Sequence, residues 1–403
     1  MEPTLLSGPD VWMESEATRQ LAAVATLEGC VHAAGMPDLH PGRGYPIGAV
    51  VATRELVYPQ LVGGDAGCGA RLVVTTVDCV APDRLERRLR DAFASEPLAD
   101  VDPAALFAAV WHRGARGLSE LDGIPDGLRG LALRDAETAS DALPPSGDAA
   151  PYRRGFEASL GTIGGGNHFA EVSRVGRVLD TEAGAALGLT KDALVVLVHS
   201  GSRGLGTALA ETWGTRVVRD GDRDRYLGEL AGACRFARAN RLVLAYRMLS
   251  ALAALRDHTL RGSLDITHND VRSEPFAGAD AWIHRKGAAP AAAEALAVVL
   301  GSRGTPSWIV KGTGAEPGLR SVAHGAGRKM TRSEAVAKLK DRYKRKAVAR
   351  SAIGSRVLCD DNTLLFEEHP DAYKAIEPVI RALESHAQAT RVVALTPVMT
   401  VKL

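Results

Sequence analysis

Residues 62–72 read VGGDAGCGARL, and this glycine-rich stretch is the starting point for interpreting the whole chain. It places Asp65 three residues before Cys68, with four glycines interleaved. Glycine has no side chain, so the backbone can bend sharply there and other groups can approach it closely. A carboxylate beside a thiolate suits a divalent transition metal such as Mn, Fe, Co or Zn. The alternative is a tight turn that holds a buried structural cysteine, and this motif alone does not exclude it.

The composition is that of an ordinary globular chain. Of its 403 residues, 46% are hydrophobic and 24% are charged, which allows a sizeable core. The formal net charge of +1 indicates that any nucleic-acid site must be a local patch.

Five cysteines without a C-x-x-C pair favour a reducing compartment. No basic residue precedes Arg19, unlike in a signal peptide, and no apolar run could cross a bilayer, so we expect a cytoplasmic protein without a membrane role.

Three histidines occupy similar positions further along the chain. His168 follows the glycine-rich run 161–167, His199 ends the apolar strand predicted at 195–198, and His268 follows another predicted strand. A histidine between a buried strand and a loop is a frequent active-site arrangement, although each one taken alone is more often a core residue.

Together these residues suggest a metal centre. One carboxylate, one thiolate and three imidazoles could hold two metal ions if the thiolate bridges them, and paired ions ~3.5–4 Å apart serve phosphoryl transfer. His324, in the turn HGAGR, could remain unligated and act as a nucleophile toward phosphorus. The basic turns HRKGA (284–288) and GSRGT (301–305) offer N–H groups and cations to phosphates. The residues alone therefore indicate a metal-dependent phosphoryl-transfer enzyme.

The stretch 35–48, GMPDLHPGRGYPIG, contains three prolines and four glycines, which predict an irregular loop. Because it carries Asp38 and His40, it is a candidate wall of a site. A rigid turn whose polar groups bond only to backbone explains it equally well.

The remaining pattern predicts one large mixed α/β domain over residues 1–403. We expect a charged helix over 82–94, a peripheral elaboration over 85–158 and a helical insertion near 206–258. A basic helix predicted at 333–346 presents either a solvated face or an RNA contact.

At this point the sequence resembles the RtcB family of GTP- and manganese-dependent RNA ligases over nearly its whole length. The motifs that carry the resemblance are GMPDLHPGRGYPIG (35–48), GGDAGCGARL (63–72), GTIGGGNHFAEV (161–172), VHSGSRG (198–204), HRKGA (284–288), GSRGT (301–305), HGAGR (324–328), AYK (372–374) and the terminal Lys402.

The resemblance implies an α+β fold with mixed sheets packed around a dinuclear metal cleft and flanked by helices. It implies an enzyme that joins an RNA 3′-phosphate or 2′,3′-cyclic phosphate to a 5′-hydroxyl. His324 would attack GTP to form a covalent histidine–GMP, and the guanylyl group would pass to the RNA 3′-phosphate before the 5′-hydroxyl displaces it.

Site residues follow from the positions that match the family's motifs. Cys68, His199 and His268 would hold one manganese ion, and Asp65, Cys68 and His168 the other. His324, Arg328 and Asn167 would be catalytic, with Arg328 about one helical turn from His324. The implied guanylate and phosphate contacts are Asn167, Phe169, Glu171, Arg203, Lys286, Ser302, His324, Gly325, Gly327, Tyr373 and Lys402. In this reading the Glu171 carboxylate selects guanine by accepting bonds that adenine cannot donate.

The first loop, the alanine after Asp65 and the arginine at position 303 resemble the shorter paralogues encoded beside a peptide-release-factor homologue. Such paralogues are thought to repair cleaved ribosomal or transfer RNA, which makes the ribosome or its RNA a candidate partner.

Two alternatives to the RNA-ligase function remain. One is a two-metal phosphatase or cyclic phosphodiesterase that does not ligate, and the other is a non-catalytic RNA-binding protein.

Overall fold

The computed structural model describes residues 1–138, 143–152 and 155–403. The helices are α1 (Ser15–Val24), α2 (Pro82–Ala94), α3 (Pro103–Arg113), α4 (Ala115–Leu118), α5 (Asp126–Thr138), α6 (Thr181–Ala186), α7 (Gly204–Trp213), α8 (Asp220–Leu252), α9 (Arg332–Arg342), α10 (Arg345–Val348), α11 (Asn362–Glu367) and α12 (Ile376–Ser385). The strands are β1 (Thr4–Leu5), β2 (Cys30–His40), β3 (Ile47–Thr53), β4 (Gly69–Thr75), β5 (Phe169–Val178), β6 (Leu194–Ser200), β7 (Leu260–Thr267), β8 (Asn269–Phe276), β9 (Ala279–Lys286), β10 (Ala288–Pro290), β11 (Leu296–Val299), β12 (Ser307–Gly312), β13 (Ser321–Ala323), β14 (Arg356–Leu358) and β15 (Ala389–Val401).

An eight-stranded sheet forms the centre of the described structure. Seven of its strands follow the order β11-β12-β15-β5-β6-β4-β7, and β14 pairs with β15 in parallel. A second sheet has the order β1-β2-β3-β9-β8, and β10 pairs with β13. Because strands from distant parts of the chain are neighbours in both sheets, motifs far apart in sequence can meet in space.

The two large sheets pack face to face between layers of helices. Along β6, Val196 and Val198 contribute to the core shared with α8 and α2–α5, whereas Val195 and Leu197 contribute to the core shared with the second sheet. Successive side chains of a strand point to opposite faces, so a continuously apolar strand is one that is covered on both sides. The predicted α+β class is confirmed.

Helix α8 lies in the middle of the helical layer, and 23 of its 33 residues are buried. The range 206–258, predicted as an insertion, contributes α8 to the core that covers the central sheet. The range 85–158, predicted as a peripheral elaboration, contributes α2–α5 to the same core. Part of the range 85–158 lies outside the described residues, and the proposed subdivision stays a prediction. In the part of the chain that the structure describes, no helix is long and apolar enough to cross a membrane.

Three local predictions were wrong. The range 35–48 is regular over its first part, because β2 continues to His40 with a register shift, and the irregular segment is confined to the turn before Ile47. The predicted helix at 333–346 ends at Arg342, and a separate short helix begins at Arg345. His324 follows β13 and lies eight residues before α9, so Arg328 is not one helical turn away from it.

Candidate metal centre

Four neighbouring strands bring their ends to one edge of the central sheet. β5, β6, β4 and β7 run antiparallel, so the beginnings of β5 and β4 adjoin the ends of β6 and β7. In this register His199 lies opposite both Ala70 and Phe169, and Ala70 lies opposite Ile266. Side chains directly across a strand pair are about 5 Å apart, so residues next to these positions converge. The side chains that these strand ends bring together are Cys68, His168, His199 and His268.

The donor atoms form two groups that share one sulfur. Asp65, Cys68 and His168 make one group and Cys68, His199 and His268 the other, and the donor atoms within each lie within 4.8 Å of one another. Cys68 Sγ is 3.3 Å from His168 Nε2 and 3.4 Å from His199 Nε2. Asp65 Oδ2 is 2.9 Å from His168 Nε2. His199 and His268 face each other with their Nε2 atoms 3.2 Å apart. All five predicted metal ligands therefore meet, and a bridging thiolate fits the arrangement.

The protonation states favour metal binding by the histidines. Burial lowers the pKa values of His199 and His268 well below the ordinary value, and neighbouring imidazoles lower them further. Burial acts to raise the pKa of Asp65, but the contact with His168 outweighs it and the pKa falls. Burial and the nearby Asp65 raise the pKa of Cys68, so its thiolate requires cations beside it. A divalent metal supplies that charge, and neutral imidazoles are the form that binds it.

The backbone around the ligands is shaped by close approaches. Gly67 has a φ of 73°, and a Cβ there would lie 2.7 Å from Cys234 Cα of helix α8. Asn269 Nδ2 donates to the Asp65 carbonyl at 3.0 Å. His199 Nδ1 is 3.1 Å from the Asn167 carbonyl, and a proton shared in this bond leaves Nε2 free to face the other ligands. The loops are therefore held in place from outside the metal centre.

His324 adjoins the metal centre and is oriented by a buried carboxylate. Its ring centroid is 4.9 Å from that of His268 and 6.4 Å from that of His199. Its Nδ1 is 2.7 Å from Asp38 Oδ2, and Asp38 is 0% exposed. A carboxylate this close favours the ring proton on Nδ1, and that tautomer leaves Nε2 with its lone pair. The predicted loop residue Asp38 is thus a partner of the candidate nucleophile.

Beside this histidine lies a cavity, here called the inner cavity, whose walls come from strand ends and from the segments before α9 and α12. It contains eight of the eleven predicted nucleotide contacts and the predicted catalytic residue Arg328. The lining includes Asn167, Phe169, Ser302, His324, Gly325, Gly327, Arg328, Tyr373 and Lys402, together with His40, Ile47, Leu300, Gly301, Arg303, Ala326, Arg332, Glu368 and Thr400.

A charged network forms one wall of the inner cavity. Arg328 Nη1 donates to Glu368 Oε1 at 2.9 Å and to the Tyr373 hydroxyl at 3.1 Å, and that hydroxyl donates to the other oxygen of Glu368. Lys402 Nζ donates to the carbonyls of Gly166 and His168 at 2.7 and 2.9 Å. Burial lowers the pKa of Lys402 to about 8. Lys402 therefore connects the last strand to the loop that carries a metal ligand.

A second depression, the outer groove, also has His324 in its lining. Its lining includes Asp65, Cys68, His199, His268, His324, Arg43, Lys286 and Arg332. Lys286 Nζ donates to the Gln60 carbonyl at 3.2 Å, and burial lowers its pKa to about 8. The metal centre and several cations thus face one open surface, and His324 lines both the inner cavity and the outer groove.

Two predicted contacts lie elsewhere among the described residues. The Glu171 carboxylate is buried and accepts from the hydroxyls of Ser173 and Thr400, and it is Thr400 that lines the inner cavity. Arg203 is absent from both linings. Its guanidinium lies across Gly164, where a Cβ would collide with Nη1, and is 3.4 Å from His168 Nδ1.

Two charged residues that line the inner cavity, Glu368 and Arg332, were not predicted from the sequence. Glu368 comes from the run 367–370, which has no glycine and no motif. Arg332 follows the HGAGR turn and lies over Gly166, whose φ is 68°. The cavity-lining Arg303 had been noted only as a departure from the family pattern. No local signal in the sequence identified any of the three as part of a site.

Comparison with known proteins identifies relatives along the whole chain. The family model described as tRNA-splicing ligase RtcB matches residues 20–403. The RNA-splicing ligase RtcB2 of Escherichia coli is 36% identical, with 98% of this chain and 94% of the relative covered. The RNA-splicing ligase RtcB of Mycobacterium tuberculosis is 32% identical, with coverage of 95% and 100%. The tRNA-splicing ligase RtcB of Archaeoglobus fulgidus is 29% identical, with coverage of 97% and 92%.

Proposed function

The chain belongs to the RtcB family of RNA ligases, and from this we propose that it joins RNA ends through a guanylyl group carried by His324. A covalent histidine–GMP is a general property of the family. The observation that carries the assignment to His324 is its position: its Nδ1 lies 2.7 Å from buried Asp38, its ring adjoins the metal centre, and it lines both the inner cavity and the outer groove.

The guanylylation step uses the free nitrogen of His324. Nε2 attacks the α-phosphorus of GTP, a P–N bond forms, and the bond from the α-phosphorus to the bridging oxygen breaks to release pyrophosphate. The proton on Nδ1 stays beside the Asp38 carboxylate, 2.7 Å away, whose negative charge stabilises the ring as it becomes cationic. Histidine forms a labile phosphoramidate, so the guanylyl group stays reactive for transfer to RNA.

The metal centre fits two divalent ions, and we propose that they are Mn²⁺. Asp65, Cys68 and His168 would hold one ion, and Cys68, His199 and His268 the other. Mixed oxygen, nitrogen and sulfur donors suit a borderline transition metal. Bound ions would neutralise phosphate charge and make the α-phosphorus more electrophilic.

The inner cavity suits the guanosine part of GTP. Phe169 and Tyr373 offer aromatic faces, and Ser302, Lys402 and the Arg328–Glu368 pair offer polar groups. Glu171 lies behind Thr400, so reading guanine through its carboxylate would require the Thr400 hydroxyl to release it.

The outer groove suits the RNA ends. Lys286, Arg43 and Arg332 place cations around the metal centre, where a 3′-phosphate or 2′,3′-cyclic phosphate could bind with a 5′-hydroxyl beside it. Arg203 adds a cation next to His168. Cleaved ribosomal or transfer RNA is the substrate we propose.

The test is transfer of label from GTP to the protein. The enzyme is incubated with Mn²⁺ and GTP labelled at the α-phosphate, denatured, and treated with acid or alkali. Label that survives alkali and is lost in acid indicates a phosphoramidate, and His324→Ala should abolish it. His112→Ala is the matched control, because His112 is an exposed histidine of α3. Equal labelling of His324→Ala and the parent protein would refute the assignment.

The hydrolase and non-catalytic alternatives are not favoured, since the relatives are named as ligases. The hydrolase alternative predicts that a 2′,3′-cyclic phosphate is opened without GTP and without His324.

A further inference from the structure

The middle of helix α8 carries two adjacent polar side chains that face the metal loops. Asn240 and Arg241 are each 0% exposed, in a helix whose other buried residues are mostly apolar. A buried amide and a buried guanidinium cost free energy unless their donors and acceptors are satisfied. Their partners therefore indicate why they are there.

Asn240 bonds to two segments that carry metal ligands. Its Oδ1 accepts from the Gly161 N–H at 2.7 Å, and its Nδ2 donates to the Thr162 carbonyl at 3.2 Å. The same Nδ2 lies 3.1 Å from Ser200 Oγ and 3.2 Å from the Gly201 carbonyl. The first pair lies in the loop that leads to His168, and the second directly follows His199.

Arg241 bonds to three segments that carry metal ligands. Its Nη1 donates to the Gly67 carbonyl at 2.7 Å and to the Ser200 carbonyl at 3.0 Å. Its Nε and Nη2 donate to the two oxygens of Asp265 at 3.0 and 2.6 Å. Gly67 directly precedes Cys68, and Asp265 lies on β7 shortly before His268. A Cβ at Gly69 would lie 2.9 Å from the guanidinium carbon, so the metal loop is built to admit this side chain.

We propose that Asn240 and Arg241 are positioning residues that hold all the ligand-bearing loops in the two-metal arrangement. This inference rests on the metal centre proposed above. One guanidinium spans the Cys68, His199 and His268 segments, and the neighbouring amide spans the His168 and His199 segments. Because both side chains extend from one rigid helix, the spacing between ligands is set by the helix and not by the loops themselves. Removing a residue that does not bind the metal itself but orients the metal ligands typically lowers metal affinity about 10- to 100-fold.

The experiment measures binding of Co²⁺ to the metal-free protein. Co²⁺ bound to the Cys68 thiolate gives a charge-transfer absorption that reports the centre directly, without any ligase assay. Arg241→Lys keeps a positive charge but cannot reach two carbonyls and a carboxylate at once. We expect its Co²⁺ affinity to fall about 10- to 100-fold, with an altered absorption band.

Arg247→Lys is the matched control. Arg247 lies on the same helix, is 4% exposed, and donates through Nη1 to the carbonyls of Ala92, Phe93 and Ser95 at the end of α2. Its loss should lower the unfolding temperature of the metal-free protein but leave Co²⁺ affinity unchanged. An equal fall in affinity for both variants, or parental affinity in Arg241→Lys, would overturn the inference.

If Arg241→Lys does not fold, Asn240→Ser is judged by the same measurement against Arg247→Lys. A parent protein that binds no Co²⁺ would instead refute the metal centre itself. Failure of the inference and failure of the proposed function are therefore distinguishable.

Discussion

Replacing Asp38 with asparagine tests the proposed nucleophile without touching a metal ligand. The substitution keeps the shape of the side chain but removes the negative charge that faces His324 Nδ1 at 2.7 Å. An amide nitrogen facing the ring would also favour the tautomer with its proton on Nε2, which cannot attack phosphorus. We therefore expect slower guanylylation.

The magnitude follows from the burial of the pair. Asp38 is 0% exposed, so water does not replace the lost interaction. The buried contact at 2.7 Å pairs a carboxylate with a ring that gains positive charge during the attack. An interaction with a charged group of this kind contributes about 1.5–3 kcal/mol net. Each 1.4 kcal/mol is a factor of ten, so the rate should fall about 10- to 150-fold.

The assay is single-turnover labelling of the protein with GTP and Mn²⁺, with Co²⁺ affinity measured alongside. Asp38 is outside both ligand groups, so metal affinity should equal that of the parent. Guanylylation of folded Asp38→Asn at the parental rate would show that the carboxylate does not serve His324.

Three further outcomes follow from the buried site. Cys68→Ser should abolish the thiolate absorption of bound Co²⁺ and weaken both ions, because Cys68 belongs to both groups, whereas the exposed-cysteine control Cys79→Ser should not. Burial raises the pKa of Glu171 to about 7. Between about pH 4.5, the ordinary pKa of the group, and about pH 7, Glu171 is therefore protonated in the folded state but ionised in the unfolded state. The contribution of this group to the free energy of unfolding is therefore lost as the pH rises through about 7. Glu171→Gln should reduce the change in the free energy of unfolding with pH, measured in denaturant titrations, by up to about 3 kcal/mol. Because burial lowers the pKa of Lys286 to about 8, kcat/KM for RNA with a 3′-phosphate end should decline above that pH, and Lys286→Arg should move the decline to higher pH.

Much of the metal centre could be predicted from sequence because most of its ligands lie in glycine-rich motifs at strand ends. Asp65, Cys68, His168 and His199 are close to glycine turns that side chains would obstruct, and such patterns are visible locally. His268 has no glycine beside it and was predicted only from its position after a strand. The α+β class followed from the same motifs through the family resemblance.

What could not be predicted depends on contacts between distant segments. Glu368 reaches the inner cavity through its bond to Arg328, forty positions away, and no local pattern encodes that meeting. Arg241 is one of several arginines in a long helix that looked like an insertion, and nothing in the local sequence distinguishes it from the others. The helix predicted at 333–346 was too long because its basic composition does not reveal the break after Arg342.

The position of β15 has a consequence for how the enzyme is made. This strand, residues 389–401, lies between β12 and β5, and its Thr400 bonds to Glu171 across 229 positions of sequence. While the ribosome still shields that segment, β5 lacks a neighbour on one side and the inner cavity lacks a wall. Ligase activity is therefore acquired only after residues 389–401 have left the ribosome and paired with β5, and a nascent chain halted before residue 389 should be unable to accept a guanylyl group.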